Sequence, residues 1–125
     1  MRETQKLNFL REGKMILGIK TKFDAAHFLP NYQGKCASLH GHTWYVEVEI
    51  LGWVDTNTGM VVDLTELKKD VNAIIERLDH GFLNNIFVKV PTCENVVLYI
   101  YDQLTAKYNV QTVKVREGEG GWARI

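Results

Sequence analysis

Between Trp44 and Trp53 the chain alternates with a period of two, with Val46, Val48 and Ile50 on one face and Tyr45, Glu47, Glu49 and Leu51 on the other. Only an extended strand sends successive side chains to opposite faces. A strand that is apolar on one side and charged on the other belongs to a sheet covered on one side only. Ile16 to Phe23 reads the same way, so two long strands are expected near the start of the fold. Pro30-Asn-Tyr-Gln-Gly34-Lys between them is turn chemistry and predicts a loop. Asp55-Thr-Asn-Thr-Gly59 predicts a further turn.

The period then changes. Asp63-Leu-Thr-Glu66 places an N-cap residue three positions before a carboxylate, and Leu64, Leu67, Val71, Ile74, Ile75 and Leu78 follow at three- and four-residue steps. This predicts an amphipathic helix. A second is expected after Pro91, with Thr92 as N-cap, Val97, Ile100, Tyr101, Leu104 and Tyr108 as its apolar stripe, and an end near Asn109. Thr112 to Arg116 alternates again, a glycine-rich turn spans Gly118 to Gly121, and Trp122 to Ile125 can return as a short strand. The order strand, strand, helix, helix, strand, strand predicts an α+β domain: a four-stranded antiparallel sheet with two helices on one face. Such a sheet keeps two edges and an uncovered face, which favours an oligomer.

With 125 residues the chain accommodates one domain. Residues 1–14 carry no sustained period and are expected to be an N-terminal extension, with the domain over 15–125. Fifteen basic and fifteen acidic residues balance, which gives no electrostatic case for nucleic acid or an anionic membrane as partner. No apolar run reaches the roughly eighteen residues of a membrane span, so a cytoplasmic protein is expected. In that compartment Cys36 and Cys93 are expected to be thiols, Cys93 a structural one.

Three of the four histidines fall within sixteen residues, as His27, His40 and His42, with Cys36 among them. One residue apart on a strand, His40 and His42 face the same way and can grip one ion together. With His27 they form a His₃ set, the arrangement in which Zn²⁺ keeps a position open for water or substrate. Spacing leaves two readings of Cys36, a fourth ligand closing a structural site or a free thiol beside an open one. Asp79-His80 is a second constellation, because a carboxylate beside an imidazole orients the ring for proton transfer. A histidine in the last turn of a helix also interacts favourably with the helix dipole. Glu117, at the end of a strand, has the two-oxygen geometry to accept paired hydrogen bonds from a guanidine-like edge such as that of a 2-amino-4-oxo-pterin ring, and Glu119 is a second candidate.

These residues, in this order, resemble the 6-pyruvoyl-tetrahydropterin synthase family, and within it the 6-carboxy-tetrahydropterin synthases of queuosine biosynthesis. The resemblance rests on Phe23-Asp-Ala-Ala-His27, Cys36-Ala-Ser-Leu-His-Gly-His42, Gly59-Met-Val-Val-Asp63, Leu78-Asp-His80 with Leu83-Asn84, Pro91-Thr-Cys-Glu-Asn95 and Val115-Arg-Glu117. It implies the tunnelling fold, in which four-stranded units associate into a trimeric barrel and two rings stack as a hexamer. It implies zinc on His27, His40 and His42, Cys36 as the proton-abstracting base rather than a ligand, and Asp79 and His80 as its relay. It further implies Glu117 as pterin anchor, with Thr92 and Glu94 in the segment lining that pocket. The implied substrate is 7,8-dihydroneopterin triphosphate, and no redox cofactor is needed.

The compact Cys36-x-x-x-His40-Gly-His42 segment with Leu39 resembles the queuosine type more than the biopterin type, which tends to carry a longer Asn-rich segment, and this resemblance implies the 6-carboxy product, formed with acetaldehyde and triphosphate, over the 6-pyruvoyl product. A third branch, which makes a hydroxymethyl-pterin for folate, typically has a glutamate in the loop that here offers Ala37 and Ser38. Lys20, Lys22 and Lys35 are candidates for the triphosphate by charge alone. A non-catalytic, zinc-stabilised binding module is the rival class, and it has no need of Cys36, Asp79 and His80.

Overall fold

The structure is a computed structural model that describes residues 13–125. The expected N-terminal extension lies outside the described residues apart from Gly13 and Lys14, and Lys14 already pairs with Trp53 in the first strand. The two alternating segments form a long antiparallel hairpin of β1 (Lys14–His27) and β2 (His40–Trp53), in register from Lys14 opposite Trp53 to His27 opposite His40. Both strands run past the expected limits, and the added residues include the three clustered histidines. The loop between them is pinned by a Leu29 N–H bond to the Cys36 carbonyl at 2.8 Å and contains a 3₁₀ turn over Lys35–Ala37.

Helix α1 (Leu64–Leu78) starts where expected, the Asp63 carboxylate accepting from the Thr65 N–H at 2.9 Å. Helix α3 (Cys93–Thr105) is capped by Thr92, whose hydroxyl oxygen accepts from the Asn95 N–H at 3.1 Å. It stops earlier than its apolar stripe suggests. The Lys107 and Tyr108 N–H groups both turn back to the Leu104 carbonyl, and Tyr108 still packs into the core with its hydroxyl on Asp70. The chain closes with β4 (Val110–Glu117) beside β2 and β5 (Gly121–Arg124) beside β4.

The four expected antiparallel strands are present, and a fifth joins them. The order is β3-β1-β2-β4-β5, where β3 (Gly81–Phe82) runs parallel to β1 through Ala25 and Ala26. Two residues are too few to carry a periodic signal, so β3 had no mark in the sequence. What makes it is His80, whose left-handed backbone (φ 57°) ends the turn after α1 and lets its N–H donate to the Asp24 carbonyl at 2.6 Å. A short helix α2 (Leu83–Ile86) follows directly.

The core lies between the helices and one face of the sheet. Phe23, Trp44, Val46, Leu67, Ile100 and Val115 are among its fully buried members. Each such side chain contributes roughly 1.5–3 kcal/mol through removal of apolar surface from water. The alternation continues to the end of the hairpin: Phe23, Ala25 and His27 point into the core face, whereas Lys22 and Asp24 are exposed. Among the described residues no helix is long and apolar enough to cross a membrane.

Candidate metal centre and proton relay

Strand geometry assembles the metal cluster. His27 lies opposite His40, and Ala25 opposite His42, so the three imidazoles share the core-side face at the loop end of the hairpin. Trp44, fully buried one step further in, forms their floor, with its ring centroid 4.9 Å from His27 and 5.7 Å from His42. Its indole N–H donates to the Ala25 carbonyl at 3.3 Å.

Two of the rings have their tautomers set by the backbone. A carbonyl only accepts, so His27 Nδ1–H donates to Pro91 O and His40 Nδ1–H to Ser38 O, each at 2.7 Å. In the neutral rings both Nε2 atoms therefore present lone pairs inward. The Nε2 atoms of His27, His40 and His42 are buried and lack a hydrogen-bond partner. Three convergent orphan nitrogens of this kind are what a divalent cation of borderline softness such as Zn²⁺ requires, so the residues present fit the implied metal.

The fourth donor at this point is Glu117. His27, His40, His42 and Glu117 each offer one atom within 4.8 Å of all the others, and Cys36 does not join the group. Glu117 Oε1 lies 3.1 Å from His27 Nε2 and 3.0 Å from His42 Nε2, yet outside hydrogen-bond geometry to either. Burial disfavours protonation of His27, but the Glu117 carboxylate and the Pro91 carbonyl outweigh it and leave its pKa raised. Burial dominates at His42, aided by repulsion from the other two rings, and its pKa is lowered despite Glu117. Contact with His27 holds Glu117 below the ordinary carboxyl range against the effect of burial.

Asp79 and His80 form a separate pair on the turn after α1. His80 Nδ1 lies 3.0 Å from Asp79 Oδ2, while Asp79 Oδ1 accepts from the Asp24 N–H at 2.9 Å. Asp24 thus holds both members, its N–H on Asp79 and its carbonyl on the His80 N–H. Its carboxylate in turn accepts from the Thr43 hydroxyl. The Asp24 N–H, followed by His80, keeps the Asp79 carboxyl below its ordinary value. His80 is 81% exposed and lines an open depression together with Asp24, Thr43 and His42.

The remaining candidates are more dispersed. Cys36 sits half-buried on the 3₁₀ turn, and among the described residues no side-chain hydrogen bond joins it to Asp79 or His80. The hydroxyl oxygen of Thr92 caps α3, and Glu94 is exposed in the first turn of that helix. Cys93 donates to the Val115 carbonyl at 3.3 Å, and burial pushes its thiol up to about 11, as expected of a structural residue. Sequence reasoning gave no role to Trp44 or Thr43, and it marked Asp24 and Pro91 only within motifs, without the backbone bonds they make. Asn84 was marked only as part of a motif; its amide clamps the end of β1 through both the N–H and the carbonyl of Phe28, next to His27.

Comparison with known proteins gives a consistent picture. The sequence profile of the 6-pyruvoyl tetrahydropterin synthase family matches residues 16–125. An Archaeoglobus fulgidus protein provisionally named 6-carboxy-5,6,7,8-tetrahydropterin synthase is 46% identical over 115 residues, covering 91% of this chain and 97% of the relative. The dihydroneopterin monophosphate aldolase of Pyrococcus furiosus is 38% identical over 85 residues, 68% of this chain and 70% of that one. Among solved structures, 6-pyruvoyl tetrahydropterin synthase of Caenorhabditis elegans superposes with a TM-score of 0.82 at 26% identity, covering 90% of this chain and 94% of its own.

Proposed function

The chain belongs to the 6-pyruvoyl tetrahydropterin synthase family, and from that premise we propose that it is a zinc-dependent lyase of the 6-carboxy-tetrahydropterin synthase type. It takes 7,8-dihydroneopterin triphosphate and water to 6-carboxy-5,6,7,8-tetrahydropterin, acetaldehyde and triphosphate, a step toward queuosine and other 7-deazapurines. The observation that carries the reading is the convergence of the orphan Nε2 atoms of His27, His40 and His42, with Cys36 outside the ligand group. A closed structural site would use the thiol; an open one leaves it free for chemistry.

His27, His40 and His42 would hold the zinc, which would supply Lewis acidity toward the substrate's side-chain oxygens and so make the neighbouring C–H more acidic. Cys36 takes the proton. Asp79 fixes the His80 ring through Nδ1, which leaves Nε2 to exchange protons over the open depression. Glu117 receives the two-donor edge of the pterin, and the Pro91 to Glu94 segment, with Thr92 and Glu94, lines that pocket. Among the described residues no hydrogen bond joins Cys36 to the Asp79–His80 pair, and in this reading the relay is completed between copies. Two edges would supply the means: among the described residues, β1 is covered on its outer side only at Ala25 and Ala26, and the outer side of β5 is unpaired. The assembly that the family resemblance implies, a trimer-based barrel stacked as a hexamer in the cytoplasm, is part of this proposal.

Relatives with different activities share this scaffold, so the product is read from the loop, where the compact Cys36-to-His42 spacing and the similarity to the Archaeoglobus protein favour the 6-carboxy branch. The test is to incubate zinc-loaded protein with 7,8-dihydroneopterin triphosphate, identify the product by mass spectrometry and assay acetaldehyde. 6-Carboxy-tetrahydropterin with acetaldehyde supports the assignment, and a pyruvoyl product without acetaldehyde moves the chain to the biopterin branch. Unchanged substrate at full zinc occupancy would refute the lyase reading in favour of a binding module. Cys36→Ala is expected to keep zinc and fold while losing turnover by about 10²–10⁴-fold.

A further inference from the structure

We propose that Glu117 is a switching ligand: in the substrate-free protein its carboxylate caps the metal held by His27, His40 and His42, and the pterin ring, by claiming Glu117, uncaps it. The inference rests on the pterin reading above and goes beyond it, since that reading gives Glu117 the ring alone.

The geometry places one oxygen in both roles' way. Glu117 Oε1 is 3.0–3.1 Å from two of the three orphan nitrogens and makes a hydrogen bond to neither. Donors sharing one tetrahedral Zn²⁺ at about 2.0–2.1 Å lie about 3.4 Å apart, so an oxygen at this distance from two imidazoles is close to where a fourth ligand belongs. Among the described residues, nothing else holds the carboxylate. The side chain of Arg116, its neighbour, is stacked on Tyr45 on the other face of the sheet.

The position is also built to move. Glu117 ends β4 opposite Trp44 and Gly121, its side chain is 27% exposed, and the next residue, Gly118, turns the chain with φ 65°. The backbone is held, since the Gly118 N–H donates to the Thr43 carbonyl at 3.0 Å, so a change of side-chain rotamer suffices. A two-donor ring edge needs both carboxylate oxygens side by side. Capping the metal needs one of them turned inward. The two engagements exclude each other, so ring binding and opening of the metal are coupled, and the coupling is reciprocal. The strong Lewis acid is thereby kept from water and adventitious anions until a pterin arrives.

The test uses protein loaded with Co²⁺, whose visible spectrum reports coordination, titrated with azide in the presence and absence of 2-amino-4-oxopteridine, a ring without side-chain oxygens. The expected result is azide binding at least about tenfold tighter when the pteridine is saturating. In Glu117→Ala azide should bind tightly at once, with no further gain from pteridine. Glu117→Gln, which keeps the shape and loses the charge, is the second variant should alanine fail to retain cobalt. Equal azide affinity in wild type and variants without pteridine overturns the cap. Pteridine that binds, by fluorescence quenching, yet leaves azide affinity and spectrum unchanged overturns the switch while the pterin reading stands. Failure of the pteridine to bind at all overturns both.

Discussion

Replacing His80 separates a catalytic from a structural role at one position. His80 holds φ 57°, a conformation that costs a residue with a Cβ roughly 1–2 kcal/mol. Its side chain is 81% exposed, with Asp79 as its recorded polar partner, so little packing is lost on removal. Glycine releases the strain but gives the unfolded chain extra freedom worth about 0.4–1 kcal/mol. His80→Gly should therefore be more stable than wild type by about 0–1.6 kcal/mol, a rise in Tm of no more than about 8 °C for a chain of this size. Asparagine also tolerates the left-handed region, and His80→Asn should stay within about 0.5 kcal/mol of wild type. Turnover should behave differently, since loss of a positioned proton carrier lowers kcat by about 10²–10⁴-fold with KM little changed. Thermal melts followed by circular dichroism and steady-state consumption of 7,8-dihydroneopterin triphosphate read the two quantities separately. A fall in Tm beyond about 5 °C for either variant would refute the strain argument. A kcat for His80→Asn within about threefold of wild type would remove His80 from the proton path.

Gly81, the next residue, has no room for a side chain: an added Cβ would stand 2.9 Å from the Leu78 carbonyl oxygen and 3.1 Å from Ile86 Cδ1. Gly81→Ala should cost about 1–3 kcal/mol and lower Tm by several degrees; an unchanged melt would show that β3 yields freely. Because burial pushes the Cys93 thiol from 9.0 to about 11, its thiolate fraction at about pH 8 should be about a hundredfold below that of an ordinary thiol. Iodoacetamide labelling followed by peptide mass spectrometry should show Cys93 reacting that much more slowly in the folded than in the denatured chain. Asp79 has a depressed carboxyl pKa, so its contribution to stability is present above the unfolded value of 3.8 and is lost as pH falls through the lower folded value. The Tm gap between wild type and Asp79→Asn should therefore be wider near neutrality than at about pH 3, and a constant gap would contradict the clamp made by the Asp24 N–H.

Much of the architecture was legible because it depends on local periodicity. Alternation in β2 and the three- and four-residue steps of α1 are dictated by which face each element buries, and the caps Asp63 and Thr92 stand where their side chains meet free N–H groups. The spacing of His40 and His42 carried the metal cluster for the same reason. Elements without a period escaped. β3 exists only because His80 turns back onto Asp24, and α3 stops before its stripe does because the chain turns on Leu104. Pro91, which sets the His27 tautomer through its carbonyl, contributes a backbone atom and leaves no signature in its side chain.

By itself the sequence determined the four main strands and the two long helices, the covered face of the sheet, the family motifs and the residue types that can carry metal and proton chemistry, since each follows from the identity and spacing of neighbours along the chain. Tertiary structure alone decided how those residues are grouped. It brought Glu117, ninety residues from His27 in the chain, to within 3.1 Å of that ring, kept Cys36 out of the ligand set, and hung Asp79 and His80 on the backbone of Asp24. Those juxtapositions depend on strand register and on the fold of distant segments against one another, where a shift of one residue would send a side chain to the opposite face.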